Sequence, residues 1–336
     1  MSDGAQVRAD LLACRSMLRG GSRSFFAAAL LLPARVHRPA TALYAFCRVA
    51  DDLIDGGEAT RPLDTLRVRL DAIYRGDPVA DPADRALAHV VKRHRLPRLP
   101  LDLLLEGFAW DAENRRYEDL PALMDYAARV AGTVGAMMAT LMGATEPSTV
   151  ARACELGMAM QLSNIARDVG ADARAGRLYL PLAWLREARI DPDAFLADPA
   201  PGSALAGVVA RLLAEADVLY RRADAGIAVL PLSCRPGIGA ARHLYAAIGH
   251  QVARNGYDCV HRRASVPGPR KLVLGGRALF AAAWPGRRCT APPLDAVRGL
   301  VAAVGAPQGP RGLAARLVWL LTLFSELDGR RVAKGG

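Results

Sequence analysis

The sequence predicts an all-α protein with a central apolar cavity, and three observations carry that prediction. Strand signals, meaning short alternating runs rich in β-branched and aromatic residues, are almost absent. Apolar residues recur instead at the helical period, in stretches 40–55, 99–118, 122–143, 149–170, 203–230, 239–262 and 310–327. Proline and glycine fall between these stretches, as in PRLP (97–100), GATEP (143–147), DPAPGS (198–203), CRPG (234–237) and PGP (267–269). Residues 263–310 are rich in Gly, Pro and Arg and receive no element. No Ser/Gly linker, acidic tail or internal repeat divides the 336 residues, and a 52% hydrophobic composition supplies a large core. One domain is expected over 1–336, its motifs lying within about 15–270, with 271–336 carrying none.

The first stretch, 40–55, ends in DDLID. On a helix, Tyr44, Arg48, Asp51 and Asp55 share a face about 60° wide, with Asp52 off to the side. Aspartates just before Gly56-Gly57 oppose the helix dipole, so they need another reason to be there. A hard divalent cation is one: Mg²⁺ binds one or two carboxylates plus substrate phosphates. Arg48 suits the phosphate, because a guanidinium matches its oxygens as a planar fork. A solvated polar helix end is the other reading.

Along 122–143, Tyr126, Val130, Val134, Met137 and Leu141 form a stripe about 80° wide. Ala131, Gly132, Gly135 and Ala136 stand elsewhere on the same turns. Interior glycines each cost a helix roughly 1 kcal/mol relative to alanine. Close helix packing explains them more simply than the open wall of a tunnel does.

The stretch 149–170 runs into QLSNIARDVGADAR. Gln161, Asn164, Asp168 and Asp172 fall on one 80° face, at i, i+3, i+7 and i+11. Arg167, Arg174 and Arg177 surround this oxygen-bearing ridge. Gly170 is expected to end or loosen the helix there. Two such ridges in one helical chain favour metal–diphosphate binding over two polar helix ends. Metals and arginines would stabilise a diphosphate leaving group. Apolar walls would hold a hydrocarbon and exclude water from a carbocation. Aromatic faces such as Tyr44, Phe25 and Tyr126 would stabilise that cation.

Other classes fit less well. The net charge of +11 allows anionic partners, but the arginines are dispersed and aromatics are only 6%, too sparse for a base-stacking platform. His89 and His94, like His243 and His250, lack companions for a zinc set. No G-x-S-x-G and no G-x-G-x-x-G occurs. Six scattered cysteines point to a reduced cytoplasmic setting. The first residues are no signal peptide. FFAAALLLP (25–33) is too short to span a bilayer, and LVLGGRALFAAAW (272–284) is broken by Arg277. A cytoplasmic protein, peripheral on the inner face of the membrane, is expected, with no nucleic-acid partner.

YAFCRVADDLID together with QLSNIARDVGADARAGRLYLP resembles the squalene/phytoene synthase family. GSRSFF (21–26), LLEGFAWD (104–111), YAARVAGTVG (126–135) and LYAAIGHQVARNGYDCVHRRA (244–264) support it in order, and LPARV, SNIARDVG and CRPGI are most like its bacterial phytoene-forming members. The resemblance implies an isoprenoid-synthase fold. It implies Mg²⁺-dependent head-to-head condensation of two geranylgeranyl diphosphates, through a cyclopropylcarbinyl diphosphate, to phytoene, the first committed step of carotenoid synthesis. Mn²⁺ would substitute, and no nicotinamide is needed. By matching position, Asp51, Asp55, Asn164, Asp168 and Asp172 would bind metal, with Gln161 beside them. Arg48, Arg177, Arg262, Ser22 and Ser24 would contact diphosphate. Tyr44, Tyr126 and Tyr179 would line the reacting end, and Phe25, Val130 and Val134 the tunnel. Tyr245 would stand near the second substrate. The implied catalytic set is Asp51, Asp55, Tyr44, Arg48, Tyr126, Asp168 and Asp172. Leu53, Ile54 and Ala171 stand where many relatives carry acids, but none is a metal-ligand position. Alternatives remain: squalene or dehydrosqualene formation from farnesyl diphosphate, a terpene cyclase, or a basic membrane-surface scaffold using HRRASVPGPRK (261–271).

Overall fold

The computed structural model describes residues 3–21, 28–55, 61–282 and 289–305, and among them there are helices and no strands. The chain divides into a unit from Met1 to Val304 and a second from Gly305 to Gly336. The expected helix at 310–327 lies outside the described residues.

Sequence chemistry sets the helix ends. The helices are α1 (Asp3–Gly21), α2 (Ala34–Asp55), α3 (Pro62–Arg75), α4 (Pro82–His94), α5 (Leu99–Ala112) and α6 (Leu120–Ala127). A π-turn (Ala128–Gly132) then leads directly into α7 (Thr133–Met142) and, after a loop, α8 (Pro147–Arg174). Two short helices, α9 (Leu182–Glu187) and α10 (Pro192–Ala197), precede the long α11 (Ser203–Ile227) and α12 (Arg235–Arg254). Last come α13 (Gly268–Ala282), a 3₁₀ turn (Asp295–Val297) and α14 (Arg298–Gly305). Proline opens α3, α4, α8 and α10, where its missing N–H costs nothing. Asp81, Asp119 and Asp191 cap α4, α6 and α10 through bonds to Ala83 N (2.8 Å), Ala122 N (2.9 Å) and Ala194 N (2.7 Å). Gly76 and Gly143 end α3 and α7 with φ of 83° and 73°, which a side chain would oppose.

The expected boundaries need correction in three places. The 99–118 stretch stops at Ala112, and Asn114 turns left-handed with φ 49°. The 239–262 stretch stops at Arg254, where Gly256 and Tyr257 take φ of 69° and 61°. Most instructive is Gly170, which does not loosen α8. The helix runs on to Arg174, and a Cβ at Gly170 would stand 2.5 Å from Val260 Cα. The glycine lets the 258–260 loop cross the helix, and its N–H donates to the Cys259 carbonyl at 3.2 Å.

Two apolar clusters fill the molecule. One gathers around α8 and α11, with Leu162, Met158, Leu212 and Tyr220 fully enclosed. The other joins α2, α3, α4, α5 and α7 through Phe46, Leu66, Leu87, Leu101 and Met137. Each such side chain contributes about 1.5–3 kcal/mol on burial, so a Leu162→Ala change would cost roughly 2–5 kcal/mol. Between the clusters α8 meets the π-turn and α7 backbone to backbone. A Cβ at Gly135 would stand 2.1 Å from the Ala153 carbonyl oxygen, and one at Gly157 2.1 Å from that of Ala131. Close packing is therefore what Gly135 serves, whereas a Cβ at Gly132 would meet no atom closer than 3.6 Å.

A buried ion cluster fastens the end of α8. Glu155, fully buried, accepts from Arg152 Nη2 at 2.7 Å and from Arg222 Nε and Nη2 at 3.0 and 2.7 Å. The same guanidiniums hold the Ala291 and Pro292 carbonyls at 3.2 and 2.7 Å. One carboxylate thus joins α8, α11 and the 289–292 segment. Among the described residues no helix is long and apolar enough to cross a membrane. All six cysteines are free.

Candidate active site

An apolar cavity of about 210 Å³ runs between the two clusters. Val130 and Val134 form one wall, Leu156 and Met160 of α8 another, and Ile238 and Tyr245 of α12 a third. Gln161 and Asn164 line its polar end. The π-turn matters here. It lies between Tyr126 and Val134, and its extra residue re-aims one side of an otherwise regular helix.

The ridge on α8 continues past that end. Asp168 is held by Arg167 (Nε at 2.9 Å) and by Arg263 (Nε at 2.7 Å). Burial works to raise its pKa, but the two guanidiniums win and hold it below the ordinary carboxylate value. Asp172, one turn on, is pushed up to about 7 by burial and by the neighbouring Asp168 charge, against Arg177 and Arg167. Asn164 Oδ1 is buried and has no hydrogen-bond partner. Among the described residues no three carboxylates, histidines or cysteines converge as a closed cage. An orphaned amide oxygen beside two carboxylates, one short of countercharge, instead fits a hard cation that completes its shell with diphosphate oxygens and water. The donor set suits a hard divalent cation.

On α2, Arg48 lies between the aspartates, 3.5 Å from Asp51 and 2.6 Å from Asp52. Asp52, read as off to the side, takes the closer contact. Asp51 and Asp52 are half exposed. Tyr44, half-buried above them, has its pKa raised by burial and by the nearby Tyr245 and Asp51, against Arg48. Tyr245 and Asp51 thus lie near Tyr44.

Asp111 links the two ridges, and the sequence reading gave it no role. Tyr126 Oη donates to its carboxylate at 2.8 and 3.0 Å, and Tyr179 Oη donates at 2.8 Å. Burial raises the pKa of Asp111, the two hydroxyls and Arg177 oppose that, and Asp51 adds to it. The Tyr126 and Tyr179 rings stack with centroids 5.2 Å apart, and Tyr117 packs on Tyr126 at 5.1 Å. Spacing within α5 does not announce that role; the crossing of α5 with the π-turn sets it. Gly107 packs against Val130, where a Cβ would stand 2.7 Å from Cγ1, so Asp111 one turn later must face the Tyr126 side.

The structure thus puts Gln161, Asn164 and Tyr245 on the cavity wall, Asp168 and Asp172 on the next turns of α8, and Tyr126 and Tyr179 together at Asp111, while Tyr44, Arg48, Asp51 and Arg177 lie close enough for their charges to bear on these groups. Val130 and Val134 line the cavity as expected. Arg262 is exposed, and it is the adjacent Arg263 that grips Asp168. Ser22, Ser24 and Phe25 lie outside the described residues, as does the side chain of Asp55, whose backbone ends α2.

The squalene/phytoene synthase family model matches residues 18–270. The chain belongs to the squalene/phytoene synthase family. Within it, the chain is 49% identical over 336 residues to a phytoene synthase of Cereibacter sphaeroides, covering 95% of each. It is 53% identical over 280 residues to a phytoene synthase of Rhodobacter capsulatus, covering 82% of this chain and 83% of that one. Among solved structures of the family, a dehydrosqualene synthase in complex with a ligand superposes with a TM-score of 0.75, at 29% identity, over 82% of this chain and 96% of that one. A squalene synthase from Alicyclobacillus acidocaldarius gives 0.70 at 25% identity, over 75% and 96%. The all-α isoprenoid-synthase architecture expected from the sequence is that of the family.

Proposed function

We propose that the protein condenses two geranylgeranyl diphosphates head to head, through a cyclopropylcarbinyl diphosphate, to phytoene. The observation that carries this reading is the oxygen ridge Gln161–Asn164–Asp168–Asp172 meeting the end of an apolar cavity. High identity to phytoene synthases supports the geranylgeranyl substrate over farnesyl. So does depth: from Asn164 to Thr149 the cavity follows about 22 Å of helix, at 1.5 Å per residue.

Asp51 and Asp55 on one side, and Asn164, Asp168 and Asp172 on the other, would hold Mg²⁺, with Mn²⁺ able to replace it. Bound there, the metal neutralises the diphosphate oxygens and makes each diphosphate a better leaving group. The chain's own residues do the rest. Arg48, Arg177 and Arg263 would present guanidiniums to the same oxygens, as would Arg262 beside Arg263 and, by the family resemblance, Ser22 and Ser24. Asp111 fixes the hydroxyl directions of Tyr126 and Tyr179, so that their ring faces and lone pairs are preorganised toward the developing cation. Val130, Val134, Leu156 and Met160 keep water away from it. Each of the two condensation steps releases one diphosphate and one proton, and no reductant is consumed. The enzyme works in the cytoplasm, peripheral to the membrane that receives its product.

The test is a product assay. Purified protein, Mg²⁺ and detergent are incubated with geranylgeranyl or farnesyl diphosphate, without reductant, and the hydrocarbon is identified by mass spectrometry. Phytoene from the longer substrate, lost in Asp168→Ala, is the expected result. Dehydrosqualene from farnesyl diphosphate alone would replace the substrate assignment, in line with the name of the dehydrosqualene synthase that superposes on this chain. No hydrocarbon from either, with the helical fold intact, would sink the proposal.

A further inference from the structure

The cavity has a second end, away from the carboxylates. Thr149 and Leu230 line it there, and the same two residues line an open surface cleft bordered by Glu146, Leu232 and Arg235. Three segments meet around this end. The 28–33 turn seats Leu32 on α12, where its Cδ2 lies 2.7 Å from the place of a Cβ at Gly237. The 228–234 turn is tied to α2 by Arg35 Nη2 donating to Ser233 Oγ at 3.2 Å. α13 packs Ala278 against Ala28 and Ala240.

All three segments turn apolar side chains to solvent. Leu30 is 53% exposed, Leu232 68%, Leu272 80% and Leu279 53%. On α13, Leu272, Val273 and Leu279 lie on the side of the helix opposite Ala278, within an arc of about 120°. A helix that packs one side and leaves a leucine stripe outside has a second partner. The charge says which. Between Asp258 and Asp295 the sequence has no acidic residue and seven arginines and lysines. On α13 the apolar stripe is bordered on one side by Arg270 and Arg277. Apposed two-fold to a second copy, these cations would meet themselves. Leucines among cations at the mouth of an apolar cavity match an anionic bilayer surface.

We propose that this face, made of the 28–33 and 228–234 turns and the outer side of α13, docks on an anionic lipid bilayer. The hydrocarbon then leaves through the cleft at Thr149 and Leu230 directly into the acyl region, while diphosphate leaves at the carboxylate end into water. The exit half of this inference rests on the proposed condensation; the docking half does not.

Flotation with phosphatidylcholine vesicles, with and without phosphatidylglycerol, tests the docking. The full chain should float with the anionic vesicles and weakly with the neutral ones. Leu272→Glu/Leu279→Glu on α13, and separately Leu232→Glu on the other turn, should each weaken flotation by about tenfold or more. Both should turn over geranylgeranyl diphosphate in detergent like the unsubstituted chain, which shows that they fold. An unsubstituted chain that stays out of the vesicle fraction overturns the inference. So do variants that float normally, or variants that instead convert a dimer to a monomer in solution, since a second copy would then be the partner. If the detergent assay yields no hydrocarbon while flotation behaves as stated, docking stands and the condensation reading fails.

Discussion

Asp111 Oδ1 accepts from both Tyr126 and Tyr179, and its Oδ2 lies 3.0 Å from the Tyr126 hydroxyl, a place that in an asparagine would be taken by an amide donor. Asp111→Asn keeps an oxygen for both hydroxyls but removes the negative charge that strengthens those bonds, and its amide donor faces the Tyr126 oxygen. The expected loss in kcat is roughly ten- to a hundredfold, as for other supporting residues behind a reacting site, with a smaller change in KM. A double variant with Tyr126→Phe should fall well short of the product of the single effects, because both disturb one contact. Equal, independent effects would separate Asp111 from the tyrosines. Asp172 makes a different prediction. Its folded pKa of about 7 lies above the ordinary 3.8, so without metal the ionised form is the disfavoured one, and ionising it costs stability as pH rises through that window. Mg²⁺ must displace the proton. Apparent Mg²⁺ affinity should therefore fall about tenfold per pH unit below 7 and level off above it. Calorimetric titration at several pH values checks this, and Asp172→Asn should flatten the slope.

Among elements, α8 is the one on which the others are hung. Gly157 lets the π-turn touch it backbone to backbone, so a side chain there meets a carbonyl oxygen that cannot move aside. Gly157→Val should lower stability by about 1–3 kcal/mol or more, read as a lower urea midpoint with an unchanged slope. A midpoint equal to that of the unsubstituted chain would mean the contact is looser than described. The elements differ in how plainly the sequence announces them. α8 is legible because Met158, Leu162 and Ile165 repeat at the helical period over many turns. α3 carries the same spacing in Leu66, Leu70 and Ile73, but arginines fill its other faces and the stripe is short, so it was passed over. α13 was missed for a related reason: its leucines face outward, and a pattern read as core has no place for them. The overlong readings at 113–118 and 255–262 failed on left-handed residues such as Asn114 and Tyr257, which interrupt a helix without a proline to announce it.

Over the whole molecule, the reacting region draws on α2, α5, α6, α8, the 177–179 segment and the 258–263 loop. The two acidic ridges were legible because each lies within one helix, where spacing alone puts side chains on a common face. What joins them was not. Asp111 acts through partners 15 and 68 residues away, and Arg263 reaches Asp168 across 95. Such contacts depend on how helices cross, which periodicity does not encode. The same holds for the Arg152–Glu155–Arg222 cluster, in which Arg152 and Glu155 are buried and Arg222 is partly so.

The unbroken run of α8 along the cavity has one more consequence. It makes the helix a graduated rod. Asn164, Gln161, Leu156, Ala153 and Thr149 are marks on it at successive depths, one turn being about 5.4 Å. Gly157 is the mark that cannot be moved, since its place is taken by backbone. A larger residue at Ala153 or Leu156 shortens the scale by whole turns and leaves the carboxylates at its zero untouched. The length of hydrocarbon accepted and the chemistry done on it are therefore separately adjustable, and a lineage could exchange one substrate for a shorter one by a single substitution without relearning the reaction.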